Sequence, residues 1–354
     1  MVGMEKIQKV IDKIEPLDRQ MMEKAQKRLD FLTKPKGSLG RLEELAKIVV
    51  GIKREDSPSL KNKVIFTLAG DHGIAIEGVS AFPQEVTTQM VYNFLQGGAG
   101  INVLARHIGA RVVVVDMGVA CDLKPHPDLV IRKINYGTKN ILKEPAMSRE
   151  EAIRAINEGI EIVEEELKRG IDIIGTGDMG IGNTTPSSAI IAAITKTPVE
   201  EVTGRGTGID DSKLKHKIKV IEKALETNRP DPNDPIDVLS KVGGFEIGGL
   251  IGIMLAGASH RIPVVIDGFI SGAAALLATE IEPKVKNYLI PSHCSAEVGH
   301  SLILSFLGLK PILNLDLRLG EGTGAALGIN MVDASTKILT QMATFQETGV
   351  SNEL

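Results

Sequence analysis

The sequence predicts an α/β fold, doubly wound around a mostly parallel sheet, with a small helical domain built from the two chain ends. Three observations carry this. Short apolar runs recur from about residue 62 onward, and each ends in Gly, Asp or His. Most are followed by a stretch with helical periodicity, the alternation that gives parallel strands covered on both faces. Residues 4–53, by contrast, read as helical throughout.

In the N-terminal part, Leu17, Met21, Met22, Ala25, Leu29 and Leu32 recur at helical spacing, and Leu39, Leu42, Leu45, Ala46 and Val49 repeat the pattern. Lys34-Pro35-Lys36-Gly37-Ser38 breaks the run, with Ser38 placed to cap the next helix. Six strands are then expected. They are Val64–Leu68, Val112–Val115, Ile171–Ile174, Ile262–Ile266, Asn287–Ile290 and Ile312–Leu317. They define a large domain over 62–330, leaving 1–61 and 331–354 for the small helical one. The stretch Asn228–Asp237, with three prolines, reads as a surface loop.

Composition narrows the function. The 354 residues are 43% hydrophobic, enough for a sizeable core. Lys+Arg (41) nearly balance Asp+Glu (45), so no basic excess marks a nucleic-acid partner. Aromatic content of 3% and the lack of Trp leave few surfaces for base stacking. Cys121 and Cys294 form no CxxC, which fits a reduced, cytoplasmic setting. No apolar run has the length of a membrane span. Glycine, at 37 residues, exceeds the usual share of about 7%.

Much of that glycine follows the expected strands. Arg318-Leu319-Gly320-Glu321-Gly322-Thr323-Gly324 puts one carboxylate between glycines at a strand end, where open parallel sheets bind ligands. Glu321 is therefore a candidate general base. Gly175 to Pro186 has four glycines after a strand and a helix to follow. Thr184 or Thr185 is placed to cap that helix, and Pro186 suits its first turn. Free N–H groups and the helix dipole there make an anion site, a phosphate cradle by preference over an empty turn. It is not a P-loop, and its spacing is a poor dinucleotide fingerprint. A second glycine loop, Thr203 to Asp210, is followed by Lys213 and Lys215. Ser80, Gln89 and Met90 can offer a hydroxyl, an amide and a soft apolar group to a flat heterocycle, but on their own they read first as ordinary cap and packing residues. Asp71-His72-Gly73 reads as a hydrogen-bonded loop rather than a metal site or triad. His293-Cys294, Glu297 and His300 make only a loose ligand cluster, and no metal is expected.

Seven motifs follow one another in order. They are K-P-x-G-S-L-G-x-L-E (34–43), A-G-D-H-G (69–73), E-G-V-S-x-x-P-x-x-V-T (77–87), G-I-G-N-T-T (180–185), G-R-G-T-G (204–208), G-G-F-E-I-G (243–248) and R-L-G-E-G-T-G-A (318–325). In this order, over nearly the whole chain, they resemble the nicotinate-nucleotide–dimethylbenzimidazole phosphoribosyltransferase family. The resemblance implies a Rossmann-like large domain, a homodimer and a step of cobalamin biosynthesis. In that step nicotinate mononucleotide gives its phosphoribosyl group to 5,6-dimethylbenzimidazole, forming α-ribazole 5′-phosphate and nicotinate, with no cofactor.

Carried over by position, the resemblance makes Glu321 the base. It sets Ser80, Gln89, Met90, Pro35 and Leu319 beside the azole. It sets Gly177, Asp178, Met179, Gly180, Gly182, Asn183, Thr184, Gly204, Gly206 and Lys213 around the phosphate and ribose. Asp178 stands where the family commonly has Glu. The chemistry is consistent with a lone base. A neutral benzimidazole must lose one proton, whereas the cationic pyridinium of the donor leaves as nicotinate without an acid. Attack opposite the leaving group inverts the anomeric carbon from β to α. Two rivals are an NAD-dependent oxidoreductase, which lacks its fingerprint here, and a nucleotide sensor, which leaves Glu321 without a purpose.

Overall fold

The structure is a computed structural model and describes residues 2–351. Six parallel strands form one sheet in the order β3-β2-β1-β4-β5-β6. They are β1 (Lys63–Gly70), β2 (Ala110–Gly118), β3 (Leu129–Ile131), β4 (Ile173–Met179), β5 (Val264–Ile266) and β6 (Leu289–Pro291). β1 is central. Phe66 pairs with Val113 on one side and Thr176 on the other. From Val64 to Gly70 every residue of β1 is buried, as a strand covered on both faces requires.

Alternation along the strands separates two cores. Val64, Phe66, Leu68, Val115 and Ile174 point into one. The helices Arg149–Glu166, Phe245–Ser259 and Phe269–Ile281 cover that face. Ile65, Ala69, Val114 and Ile173 point into the other, beneath Glu85–Leu95, Gly100–Ile108 and the long helix Thr323–Gln341. Glycine allows close approach where two helices of the first layer cross. A Cβ on Gly159 would lie 2.0 Å from the Gly249 carbonyl oxygen.

The chain ends meet as expected. Ala25 and Leu29 of Arg19–Phe31 pack with Ala46 and Val50 of Arg41–Lys53 and with Leu339 of the C-terminal helix. The first helix, Val2–Ile11, goes elsewhere. Its Ile7 and Val10 join the core of the opposite layer. Among the described residues no helix is long and apolar enough to cross a membrane.

Several local expectations are corrected. Ile312–Leu317 is not a buried strand. It is an extended segment with one bridge, Leu313 to His293, running beside the chain that leaves β6. Its apolar residues alternate with Asn314 and Asp316, Leu315 is 52% exposed, and Asp316 has φ 53°, which ends any pleat. β3 has three residues after a proline-containing stretch, too few to show periodicity. Ser38 caps nothing: the helix Arg41–Lys53 is preceded by Gly40 and has no side-chain cap. The proline stretch is partly helical, because Asp234 caps Pro235–Val242 with its carboxylate. The tail beyond residue 351 lies outside the described residues.

Candidate active site

β1 and β4 are neighbours, but the chain leaves them toward opposite faces of the sheet. The helix Thr184–Thr195 after β4 lies in the first layer, and Glu85–Leu95 after β1 lies in the second. Between such strands the carboxyl edge opens into a crevice. Charged and polar side chains gather there, all nearly buried: Asp71, His72, Asp178, Asp267, His293 and Glu321.

Glu321 sits in a backbone twist that its sequence neighbours make possible. Gly320, Glu321 and Gly322 all have positive φ, at 85°, 63° and 97°. For a glutamate this costs roughly 1–3 kcal/mol and persists only where the surroundings hold it. Here they do. Glu321 N donates to Asp178 O (3.1 Å), Thr67 Oγ1 donates to Glu321 O (2.8 Å), and Gly322 N donates to Asp267 Oδ2 (3.1 Å). The loop lies directly on β4. A Cβ at Gly177 would fall 2.3 Å from Glu321 O, so the position needs glycine.

The Glu321 side chain reaches the start of the helix Gly100–Ile108, where Oε2 accepts from Ile101 N (3.0 Å). Burial raises the carboxyl pKa, and the Ile101 and Gly100 N–H groups hold the rise in check. Leu319 and Glu321 flank Gly100, lying 3.1 and 3.3 Å from where its Cβ would be. Met90 and Met179 are half-buried against the same apolar layer. This is a soft apolar surface with one carboxylate.

Asp178 faces the other way, since side chains alternate along β4. Its Oδ2 accepts from Asn183 Nδ2 (2.9 Å). Asp178, Asn183 and Thr184 line a cavity of ≈ 100 Å³ together with Gly206, His293 and Glu297. Whole-ligand clefts are usually about 300–1,000 Å³, so this one suits a phosphate and part of a sugar. Its floor is the N-terminus of Thr184–Thr195. Neither threonine caps that helix. Asn183 is the residue before it, and Thr184 Oγ1 instead accepts from Lys217 Nζ (2.6 Å). The glycines expected in a loop are divided: Gly175 and Gly177 belong to β4, and only Gly180 and Gly182 form the turn. Gly180 is pressed on β1, its Cβ position 2.3 Å from Gly70 O.

The second glycine loop closes the cavity. Gly206 has φ 52°, and its Cβ position is 2.9 Å from Thr184 Oγ1. Gly204 is pressed on Glu297, 2.1 Å from Oε2. Besides Arg205 in the loop itself, two cations meet it: Lys217, bonded to Thr184, and Arg318, which lines the cavity and donates from Nη1 to Gly206 O (3.0 Å). Lys213 is exposed on the first turn of Asp211–Asn228, where only its backbone N–H is engaged, by Asp210. Lys217, one turn later, is fully buried, and burial pulls its pKa down to about 8 against the opposing pull of Glu297. The i+4 spacing on an amphipathic helix was the available signal for it.

Of the remaining expected contacts, Ser80 bonds Thr207 (Oγ to Oγ1, 3.2 Å), tying its loop to the second glycine loop. Gln89 is exposed on Glu85–Leu95. Leu319 is 61% exposed and lines the cavity. Pro35 is exposed on the turn between two N-terminal helices and does not line it.

Burial raises the pKa of the acids at this edge. Burial, then the charges of Asp267 and Glu246, push Asp178 well up, with Asn183 opposing. Burial pushes Asp267 up to about 7, although Ala325 N and Gly322 N donate to its two oxygens. Asp267 thereby caps Thr323–Gln341, the helix that follows Glu321. His72 is hydrogen-bonded, as its loop position suggests, and its partner is Glu246 at 2.8 Å with both side chains buried. Burial opposes its charge, but Glu246 and Asp71 outweigh this and raise its pKa. Among the described residues no three His, Cys, Asp or Glu side chains are placed to hold a metal ion.

Comparison with known proteins identifies the family. A family model described as phosphoribosyltransferase matches residues 14–350. The nicotinate-nucleotide–dimethylbenzimidazole phosphoribosyltransferase of Desulforudis audaxviator is 58% identical over 98% of this chain and 99% of its own. That of Geobacter sulfurreducens is 58% identical over 96% and 97%. The crystal structure of CobT from Thermus thermophilus is 44% identical, with a TM-score of 0.91 over 94% of this chain and 100% of that one. The chain belongs to the nicotinate-nucleotide–dimethylbenzimidazole phosphoribosyltransferase family.

Proposed function

We propose that the chain moves the phosphoribosyl group of nicotinate mononucleotide to 5,6-dimethylbenzimidazole, with Glu321 as general base and inversion at the anomeric carbon. The observation that supports it is the division of the crevice by β4. A carboxylate with an apolar rim lies on one side, and a cavity lined by Asn183, Thr184 and Arg318, with Lys217 bonded to Thr184, lies on the other. The azole stacks beside Met90, Met179 and Leu319, near Ser80. The phosphate takes the helix start at Thr184 and Lys217, where backbone dipole and ammonium both favour an anion. The ribose spans Asp178, so its anomeric carbon lies near Gly320.

The atoms balance without a second acid. The azole lone pair forms the new C1′–N bond as the C1′–N bond to nicotinate breaks, and that electron pair neutralises the pyridinium. The azole's N–H proton passes to the Glu321 carboxylate. Asp178 and Glu321 flank a carbon that gains positive charge, which carboxylates stabilise. Fixing the phosphate at one end and the azole at the other turns the encounter into a positioned displacement, an effect that can reach about 7–11 kcal/mol.

A homodimer, and a division into an α/β unit (62–330) and a helical unit from both ends, belong to the same proposal. Packing of Leu339 on the Arg19–Phe31 and Arg41–Lys53 helices supports the second. The test is nicotinate release from nicotinate mononucleotide with and without the azole. Azole-dependent release is expected. Release without azole would indicate a nucleosidase, and tight binding without release a sensor; either would overturn the proposal.

A further inference from the structure

His293 lies in the wall of the cavity that Thr184 also lines, and no part of the chemistry above uses it. It is 3% exposed and lines the cavity beside Gly268 and Ser295. Its tautomer follows from its neighbours. Ser292 Oγ lies 3.1 Å from Asp267 O and 2.9 Å from His293 Nδ1. A carbonyl oxygen can only accept, so the single Ser292 hydroxyl hydrogen goes to Asp267. His293 Nδ1 must then carry a hydrogen and donate it to Ser292 Oγ. The opposite arrangement would leave two buried oxygens facing each other with no hydrogen between them, which is costly away from water.

With Nδ1 protonated, Nε2 presents a lone pair. Among the described residues it has no hydrogen-bond partner, and it sits beside Gly268, 3.4 Å from where a Cβ there would lie. Burial pulls the ring's pKa down to about 4, so the imidazole stays neutral at physiological pH. A neutral acceptor repels a phosphate or carboxylate oxygen and takes a hydroxyl.

We infer that His293 Nε2 accepts a hydrogen bond from a ribose hydroxyl of the nucleotide donor, making His293 a specificity residue for the ribo sugar. This rests on the phosphoribosyl-transfer reading. With the phosphate drawn to Thr184 and Lys217, the sugar hydroxyls are left for the walls that accept, Asp178, Glu297 and His293, of which only His293 is a neutral acceptor with its other nitrogen fixed as a donor. A deoxyribonucleotide would cover Nε2 and leave it unpaired.

Two measurements test this. In wild-type protein with ¹⁵N-labelled histidine, the nitrogen resonances of His293 report the tautomer. A protonated Nδ1 and bare Nε2, with Nε2 shifting on addition of nicotinate mononucleotide, are expected. A protonated Nε2 overturns the inference without any substitution. In turnover, kcat/KM is compared for nicotinate mononucleotide and its 2′-deoxy and 3′-deoxy analogues, in wild type, His293→Gln and His293→Phe. Wild type should lose roughly 10-fold on one analogue. His293→Phe should lose a similar factor on the ribonucleotide and nothing further on that analogue, and His293→Gln, which keeps an acceptor, should recover part of it. Equal losses on all three donors would mean that His293 only packs. No nicotinate release by wild type from the ribonucleotide would instead refute the reaction itself, a separate outcome.

Discussion

Replacing Glu321 with Gln separates the proton-accepting role of this side chain from its structural one. Structurally the change is mild. Glu321 Oε2 accepts from Ile101 N at 3.0 Å, and the amide oxygen of Gln can accept the same bond. The loss is that of a charge-assisted bond becoming a neutral one, about 1 kcal/mol. A gain opposes it. The folded-state pKa of Glu321 is raised, so the native state holds its proton more tightly than the unfolded chain. Its contribution to stability is complete below the ordinary carboxyl range and is lost as pH rises through the raised value. Gln does not titrate and escapes that loss. Melting at pH 8 should therefore move by no more than a few degrees. Turnover should move far more. Loss of a positioned base costs ~10²–10⁴-fold, about 2.7–5.4 kcal/mol of transition-state stabilisation at 1.36 kcal/mol per decade. Single-turnover nicotinate release, with donor affinity from calorimetry, measures both parts. The wild-type rate should rise with pH as Glu321 ionises, and the variant should lack that limb. Near wild-type release with an unchanged pH profile would refute the base. A drop explained wholly by lost donor affinity would refute it equally.

Other residues make separate predictions. Lys217→Met should raise KM for nicotinate mononucleotide by roughly 10–100-fold, the worth of a charge-assisted bond, with little change for the azole. In wild type, donor affinity should fall above about pH 8 as Lys217 loses its proton, whereas Lys213→Met should leave KM unchanged in the same steady-state assay. Asp178→Asn should be more stable than wild type at alkaline pH. A carboxyl with a raised folded pKa loses its stability contribution as pH rises through that value, and Asn keeps the oxygen that Asn183 bonds; urea unfolding across pH would read the difference. Glu246→Ala should destabilise by ~3–5 kcal/mol, because it strands His72 in a buried site, again read by urea unfolding. Gly177→Ala should cost about 1–3 kcal/mol and lower kcat, since its methyl group displaces the Glu321 loop by contact with Glu321 O; thermal melts and turnover would show both together.

Most of the sheet was legible because its strands are short, apolar and punctuated by Gly, Asp or His at one end. Where the pattern misled, the reason is local. Ile312–Leu317 has the length of a strand, but Asn314 and Asp316 alternate with its leucines and one left-handed residue stops pairing. β3 pairs through three residues and leaves no periodic trace. Glu321, Asp178, Asn183, Thr184 and Gly206 were legible as a group, since glycine at strand ends marks places where backbone approaches backbone or ligand. Lys213 and Lys217 both follow the second glycine loop, and only the helical phase decides which is buried. The His72–Glu246 pair joins residues 174 apart, a contact that neither motif announces alone.

The most direct test of the divided crevice is a crystal structure of the Glu321→Gln protein with nicotinate mononucleotide and dimethylbenzimidazole both bound. The phosphate should lie on the helix start at Thr184 within reach of Lys217, and the azole nitrogen should face residue 321 beside Met90 and Met179. A phosphate held elsewhere, or both ligands on the same side of β4, would contradict the account.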